Sequence, residues 1–227
     1  MDHLANKEIV LVDKPAGITS YDVIRELKKR LPRGLKIGHA GTLDPRATGL
    51  MIIGIGPGTK RLNEYLKLSK IYEAEVLFGV KTDSGDLDGK IIEKKEISAL
   101  DQNTLAKTLA EMKGKIKIAV PIYSAIKLKG KPLYQYAREG VAVKPPEKEM
   151  EIIASELKNL ACENGACVAQ ITFEVASGTY IRSLAEELGR RMGAPATLAS
   201  LRRTKIGIFK IEDAEKLSGN ITTDHNP

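Results

Sequence analysis

Asn164-Gly165 lies between two runs of alternating apolar residues, about 150–162 and 167–175. Asn and Gly most readily take the positive backbone angles of a two-residue hairpin turn, so the two runs are expected to pair as antiparallel strands. That excludes an all-parallel sheet. With further strand-like runs at 9–12, 50–55, 70–79 and about 198–209, strands outnumber the helical runs and follow mixed connections instead of a strict strand-helix alternation. The expected fold is therefore α+β, with a mixed, mostly antiparallel central sheet flanked by helices. No internal repeat, low-complexity linker or composition shift divides the 227 residues, and the chain reads as a single domain, 1–227.

Helical spacing is clearest after Thr19 and Asp22, which fit a capping box ahead of Val23, Ile24, Leu27 and Leu31, with Pro32 as the stop. Further helices are expected around Leu62, Tyr65 and Leu66, around Leu100, Leu105, Leu109 and Met112, and over 179–192. The longest apolar stretch, 50–55, falls far short of the roughly 18–20 residues of a membrane-spanning helix, so no membrane segment is expected. The first residues lack a basic leader with a long apolar segment, which points to a cytoplasmic protein. Cys162 and Cys167 should face each other across the hairpin, and in a reducing cytosol they are expected to be free, packed thiols.

Several reaction chemistries are excluded. Gly54-Ile55-Gly56-Pro57-Gly58-Thr59-Lys60 lacks the G-K-[ST] offset of a phosphate loop. The acidic turn 83–89 spaces Asp86 and Asp88 as a calcium loop would, but it starts on Ser84 and places Lys95 where a bidentate Glu is required. Histidines occur only at 3, 39 and 225, so no metal-ligand cluster is expected, and no G-x-S-x-G elbow is present. The excess of Lys and Arg (36) over Asp and Glu (29) favours a polyanionic partner. Residues 121–140 interleave Tyr123, Tyr134 and Tyr136 with Lys127, Lys129, Lys131 and Arg138, a pattern suited to nucleic acid.

What remains is the aperiodic loop Gly38-His39-Ala40-Gly41-Thr42-Leu43-Asp44-Pro45-Arg46-Ala47-Thr48-Gly49. Three glycines and a proline hold an irregular backbone at considerable entropic cost, with one acid, Asp44, extended before the proline. This loop closely resembles the catalytic loop of the TruB family of pseudouridine synthases. Asp13-Lys14-Pro15 with Gly17 and Thr19-Ser20, Lys70-Ile71-Tyr72 with Gly79, Tyr123-Ser124-Ala125-Ile126-Lys127, Leu133-Tyr134, Ala137-Arg138, Gly178 to Leu184, and Leu201-Arg202-Arg203 resemble further family motifs in the same order. The likeness is greater to the bacterial stand-alone enzymes, which modify uridine 55 in the tRNA T-arm, than to the guide-dependent branch. It departs from them where a C-terminal PUA domain would follow, since only a short helix and polar tail remain, and in Ile118-Ala119-Val120-Pro121, where Gln-x-Pro is usual.

The resemblance implies an isomerase that flips a uridine out of a folded tRNA T-arm and turns it into pseudouridine. The reaction changes no oxidation state and loses no group, so no cofactor is expected. The resemblance assigns the acting carboxylate to Asp44, stacking on the flipped base to Tyr72, and charge support to Arg182, whose acid partner is either Asp44 or Asp86. His39 is expected to meet the RNA, and Tyr180 and Leu201 to wall the base pocket. Phosphate contacts are expected from Lys14, Arg46, Lys60, Lys127, Lys129, Lys131, Arg202 and Arg203; about five of them acting together would give a log affinity against log salt slope of roughly −3.5 to −4.5. A monomer with no obligate protein partner is expected.

Overall fold

The computed structural model describes residues 7–217; His3, His225 and the polar tail lie outside them. The chain divides into two compact units, residues 1–72 with 201–227, and residues 73–200. In chain order the first unit holds β1 (Ile9–Lys14), α1 (Ser20–Arg30), β2 (Ile37–His39), β3 (Thr48–Ile55), a 3-10 turn (Gly56–Arg61) and α2 (Leu62–Leu66). β4 (Lys70–Phe78) carries the chain into the second unit. That unit contains β5 (Val80–Thr82), β6 (Ile91–Lys94), α3 (Gln102–Glu111), β7 (Gly114–Ala119), β8 (Lys127–Leu128), β9 (Lys131–Pro132), α4 (Leu133–Arg138), β10 (Glu147–Glu163), β11 (Ala166–Val175) and α5 (Ile181–Arg191). β12 (Ala196–Ile206) returns the chain to the first unit, followed by β13 (Phe209–Lys210), a 3-10 turn (Ile211–Asp213) and β14 (Glu215–Lys216). No helix among the described residues is long and apolar enough to cross a membrane.

In the first unit β3 pairs antiparallel with β1, Ile9 opposite Gly54 through Lys14 opposite Gly49, and antiparallel with β2. Its start lies parallel to β12, Arg202 opposite Thr48 and Arg203 opposite Gly49. Seven of the eight β3 residues are buried, which explains why the strand reads as an unbroken apolar run. Ala40, Leu50, Ile52, Tyr65 and Ile206 form the core here. The glycines once suggestive of a phosphate loop serve packing: a Cβ on Gly58 would lie 2.0 Å from the Glu8 carbonyl oxygen, so no larger residue fits. α1 starts as its sequence predicts. Thr19 caps the Asp22 N–H, the Asp22 carboxylate accepts from the Thr19 N–H, and the helix stops one residue short of Pro32.

The second unit is built on antiparallel pairs: β10 with β11, β10 with β7, β5 with β6, and β8 with β9. Together with the pairings of the first unit this makes the fold α+β and mostly antiparallel. The β10–β11 hairpin turns on Asn164-Gly165, both at positive φ (53° and 76°), as expected. Cys162 and Cys167 stand directly opposite, their Cα atoms 4.0 Å apart, and the structure joins them in a disulfide. This corrects the expectation of free thiols: directly cross-strand side chains are the closest pair a hairpin offers. Besides the short strands β5, β6, β8, β9 and β14, three further elements lie outside the expected runs. β2 interrupts the aperiodic stretch, β7 carries the alternation Lys115, Ile116, Lys117, Ile118, and α4 forms within the Tyr- and Lys-rich segment. Val120, Leu133 and Met150 make a local core under that segment.

Candidate active site

The loop carrying Asp44 is held from both sides within the first unit. Before the acid, the Ser20 hydroxyl accepts from the Leu43 N–H (2.8 Å) and donates to the Leu43 carbonyl (3.0 Å), while the Ala40 N–H reaches the Ile52 carbonyl. After it, the Gly17 N–H donates to the Pro45 carbonyl (2.9 Å) and the Ala47 N–H turns back to the Asp44 carbonyl. Leu43 and Ala47 are buried, leaving Asp44 half-buried between them. An irregular backbone with this many satisfied groups has little freedom left.

Two buried cations complete the frame. Lys14 is fully buried, and its ammonium donates to the carbonyls of Pro15 (2.9 Å), Pro45 (3.0 Å) and Ala47 (2.6 Å). Burial brings its pKa down to about 8, against attraction from Asp44 and with repulsion from Arg203. Arg203, 1% exposed, donates through Nε to the Leu50 carbonyl (2.7 Å) and through Nη1 and Nη2 to the carbonyls of Thr42 (3.4 Å) and Gly41 (3.3 Å). Both were expected as phosphate contacts. The structure spends them instead on loop carbonyls, because a buried cation must satisfy its donors inside the protein.

The other expected residues of this unit fall around the same strands. His39 ends β2 opposite Ile53; burial, then the Arg203 charge, lowers its pKa, and its Nδ1 finds no hydrogen-bond partner among the described residues. Tyr72 faces inward on β4 and is 8% exposed. Leu201 is half-buried, Arg46 is exposed, and Arg202 is held by both oxygens of Asp13 (2.8 and 3.2 Å). Sequence reasoning missed this pairing, as it missed buried Lys70, whose ammonium donates to the carbonyls of Leu66 and Leu68 at the end of α2. Alternation along β4 was its only available signal.

In the second unit Arg182 lies in the first turn of α5, 5% exposed, with Nη1 donating to the Ser84 carbonyl (2.8 Å), Nη2 to the Tyr123 carbonyl (3.0 Å), and Nε 3.7 Å from the Asp86 carboxylate. Asp86, one of the two acids considered for Arg182, stands beside it. The acidic turn is an internally bonded cradle: the Ser84 hydroxyl donates to Asp86 Oδ1 (2.5 Å), the Asp88 N–H to the same oxygen, and the Lys90 N–H to Asp83 Oδ1. Tyr180 precedes α5, its ring 5.8 Å from the Lys148 ammonium. Lys127 is exposed on β8, and Lys131, paired with Glu139, lies 4.8 Å over the Tyr136 ring. A separate cavity of about 260 Å³, lined by Lys81, Glu93, Lys95, Glu186 and Arg190 among others, includes none of the expected site residues.

The loop that carries Asp44 is thus fixed by backbone bonds and by two buried cations on its carbonyls. Residues 28–181 match the model of the TruB family of pseudouridylate synthases, N-terminal domain, and the chain belongs to that family. It is 43% identical to the tRNA pseudouridine synthase B of Caldicellulosiruptor saccharolyticus over 92% of this chain and 70% of that one. A second relative of that name, from Endomicrobium trichonymphae, is 38% identical over 95% of this chain and 92% of its own. Among solved structures, the chain superimposes on one in a Cbf5-Nop10-Gar1 complex with a TM-score of 0.67 and 26% identity, over 92% of this chain and 52% of that one. The chain spans about half the length of such solved structures.

Proposed function

We propose that the chain is a tRNA pseudouridine synthase that isomerises uridine 55 of the T-arm, with Asp44 as the acting carboxylate, working as a monomer in the cytoplasm. The observation that carries this reading is the latched Asp44 loop, in a family whose named relatives at about 40% identity act on tRNA. In the reaction the bond from C1′ of the ribose to N1 of uracil breaks, the base turns, C5 bonds to C1′, the C5 proton leaves and N1 takes up a proton. Attack by Asp44 at C1′, attack on the ring, and abstraction of a proton from the sugar each require an ionised carboxylate. The attraction between Asp44 and the Lys14 ammonium favours that form.

The target base stacks within the T-loop, and extruding it costs a few kcal/mol that contacts with the protein must offset. Tyr72 stacks on the flipped uracil, and Tyr180 and Leu201 wall it. Arg182, already oriented by Ser84, Tyr123 and Asp86, supplies positive charge. His39, its pKa lowered by burial and then by the Arg203 charge, meets the RNA as a neutral ring. Arg46, Lys127 and Arg202 remain the phosphate contacts of this reading. The test is Asp44→Asn on an unmodified tRNA transcript, with pseudouridine mapped by carbodiimide-blocked primer extension. Loss of product with tRNA binding retained is expected; turnover by the variant overturns the assignment.

A further inference from the structure

The positive charge of the chain is unevenly placed. Residues 1–72 and 201–227 carry 18 Lys or Arg against 11 Asp or Glu, the whole net charge of +7, whereas residues 73–200 balance at 18 against 18. Within the first set the excess concentrates again: residues 25–36 hold six cations, Arg25, Lys28, Lys29, Arg30, Arg33 and Lys36, and one carboxylate, Glu26. α1 buries Val23, Ile24 and Leu27 and leaves Tyr21, Arg25, Lys28 and Lys29 exposed, with Arg33 and Lys36 exposed in the connection that follows. Tyr21, Arg25 and Lys29 recur every fourth residue and so share one row, roughly 6 Å apart along the helix.

Local acids do not neutralise this face. Asp22 is taken by Arg25, Glu26 by Lys29, and Glu64 stands 3.7 Å from Arg61, while Lys28, Arg33, Lys36 and Lys60 have no ion-pair partner among the described residues. The β2–β3 pairing extends the surface: the Gly56 N–H donates to the Lys36 carbonyl (2.8 Å), and exposed Lys60 and Arg61 follow in that turn. Cations in the last helical turn favour the helix by about 0.3–1 kcal/mol, which accounts for Lys28 to Arg30 but not for Arg33, Lys36, Lys60 and Arg61 beyond it. Adsorption to a membrane would call for a continuous row of apolar side chains beside the cations, whereas α1 buries Val23, Ile24 and Leu27 and this face exposes only Tyr21 and, at 36%, Leu35.

We propose that the outer face of α1 and its continuation through Lys36 to Arg61 binds the phosphodiester backbone of the substrate RNA outside the T-arm, with Tyr21 against a ribose or base; this rests on the tRNA reading above. The test compares wild type with a Lys28→Gln, Arg33→Gln, Lys36→Gln triple variant, using fluorescence anisotropy against a full-length tRNA transcript and an isolated T-arm hairpin across a salt series. Three lost contacts should make the salt slope for full-length tRNA less negative by about 2 to 3, with affinity down by about tenfold or more at 0.1 M salt, and leave the hairpin slope unchanged. A Lys94→Gln, Lys107→Gln, Lys113→Gln variant removes equal charge from residues 73–200 and should leave both slopes alone.

An unchanged slope in the first triple variant, or an equal change in the second, overturns the proposal. So does weakened binding confined to phosphatidylserine vesicles. Conversion of the hairpin uridine by wild type is read separately, so failure of the catalytic reading is distinguishable from failure of this surface.

Discussion

Replacing Arg203 by Met should both loosen the Asp44 loop and change the titration of His39. The guanidinium makes one short bond, to Leu50 at 2.7 Å, and two longer ones, to Gly41 and Thr42 at 3.3 and 3.4 Å. A charge-assisted bond is worth about 1.5–3 kcal/mol and each long one about 0.5–1, while the Leu50 carbonyl left behind is buried; removing a buried ion and relieving its desolvation returns part of that sum. A net loss of about 3 kcal/mol would lower the melting temperature of a chain this size by about 6–12 °C. Burial is the main cause of the depressed His39 pKa and Arg203 the second, so in the variant His39 should titrate higher, by proton NMR of its ring. Arg203→Lys retains the cation without the planar fork; it should lose stability and leave His39 unchanged. A Met variant that melts within about 2 °C of wild type, with an unmoved His39 titration, would refute the latch.

Other outcomes follow from individual sites. Gly49→Ala should destabilise by about as much as Arg203→Met or more on thermal melting, since Gly49 sits at φ 110° and a Cβ there would meet the Arg203 backbone at 2.2 Å. Thr19→Ala should cost about 1 kcal/mol in urea denaturation through loss of the α1 cap. Burial would raise the Asp22 pKa, but its bonds from Thr19 and Arg25 hold it at about 2; its stabilising share, full above the unfolded value of 3.8, should therefore vanish as pH falls through about 2, and Asp22→Asn should flatten that acid limb. Lys14 and Lys70, both brought to about 8 chiefly by burial, release protons on folding between about 8 and 10.5, so their contribution to stability should rise with pH over that window. A Lys14→Met, Lys70→Met variant should lack the rise when unfolding is measured at pH 7 and 9.5.

Local signals with one geometric solution were legible in the chain. Asn164-Gly165 dictated its turn, Thr19 and Asp22 dictated the start of α1, and the unbroken apolar run of β3 indicated a strand covered on both faces. The Asp44 loop stood out because glycines and a proline broke every period around it. What holds that loop did not, because its partners are remote in sequence: Arg203 reaches Gly41 across 162 positions and Lys14 reaches Ala47 across 33. A basic residue in a motif reads the same whether it will meet a phosphate or a buried carbonyl, and only the fold decides between them. The cysteines misled for a related reason, since compartment outweighed the direct opposition that the hairpin itself imposed.

The arrangement of the chain also sets a timetable for the ribosome. β1, α1, β2 and β3 leave the tunnel early, yet the residue that bolts Gly41 and Thr42 to them is Arg203, on a strand made after residues 73–200 have been added. At about 5–20 residues per second, that delay is roughly 6–25 s. Until then the segment bearing Asp44 has Ser20, Gly17, Ile52 and Lys14 to hold it but not the bonds from Arg203 to Gly41 and Thr42, which come only with the last strands.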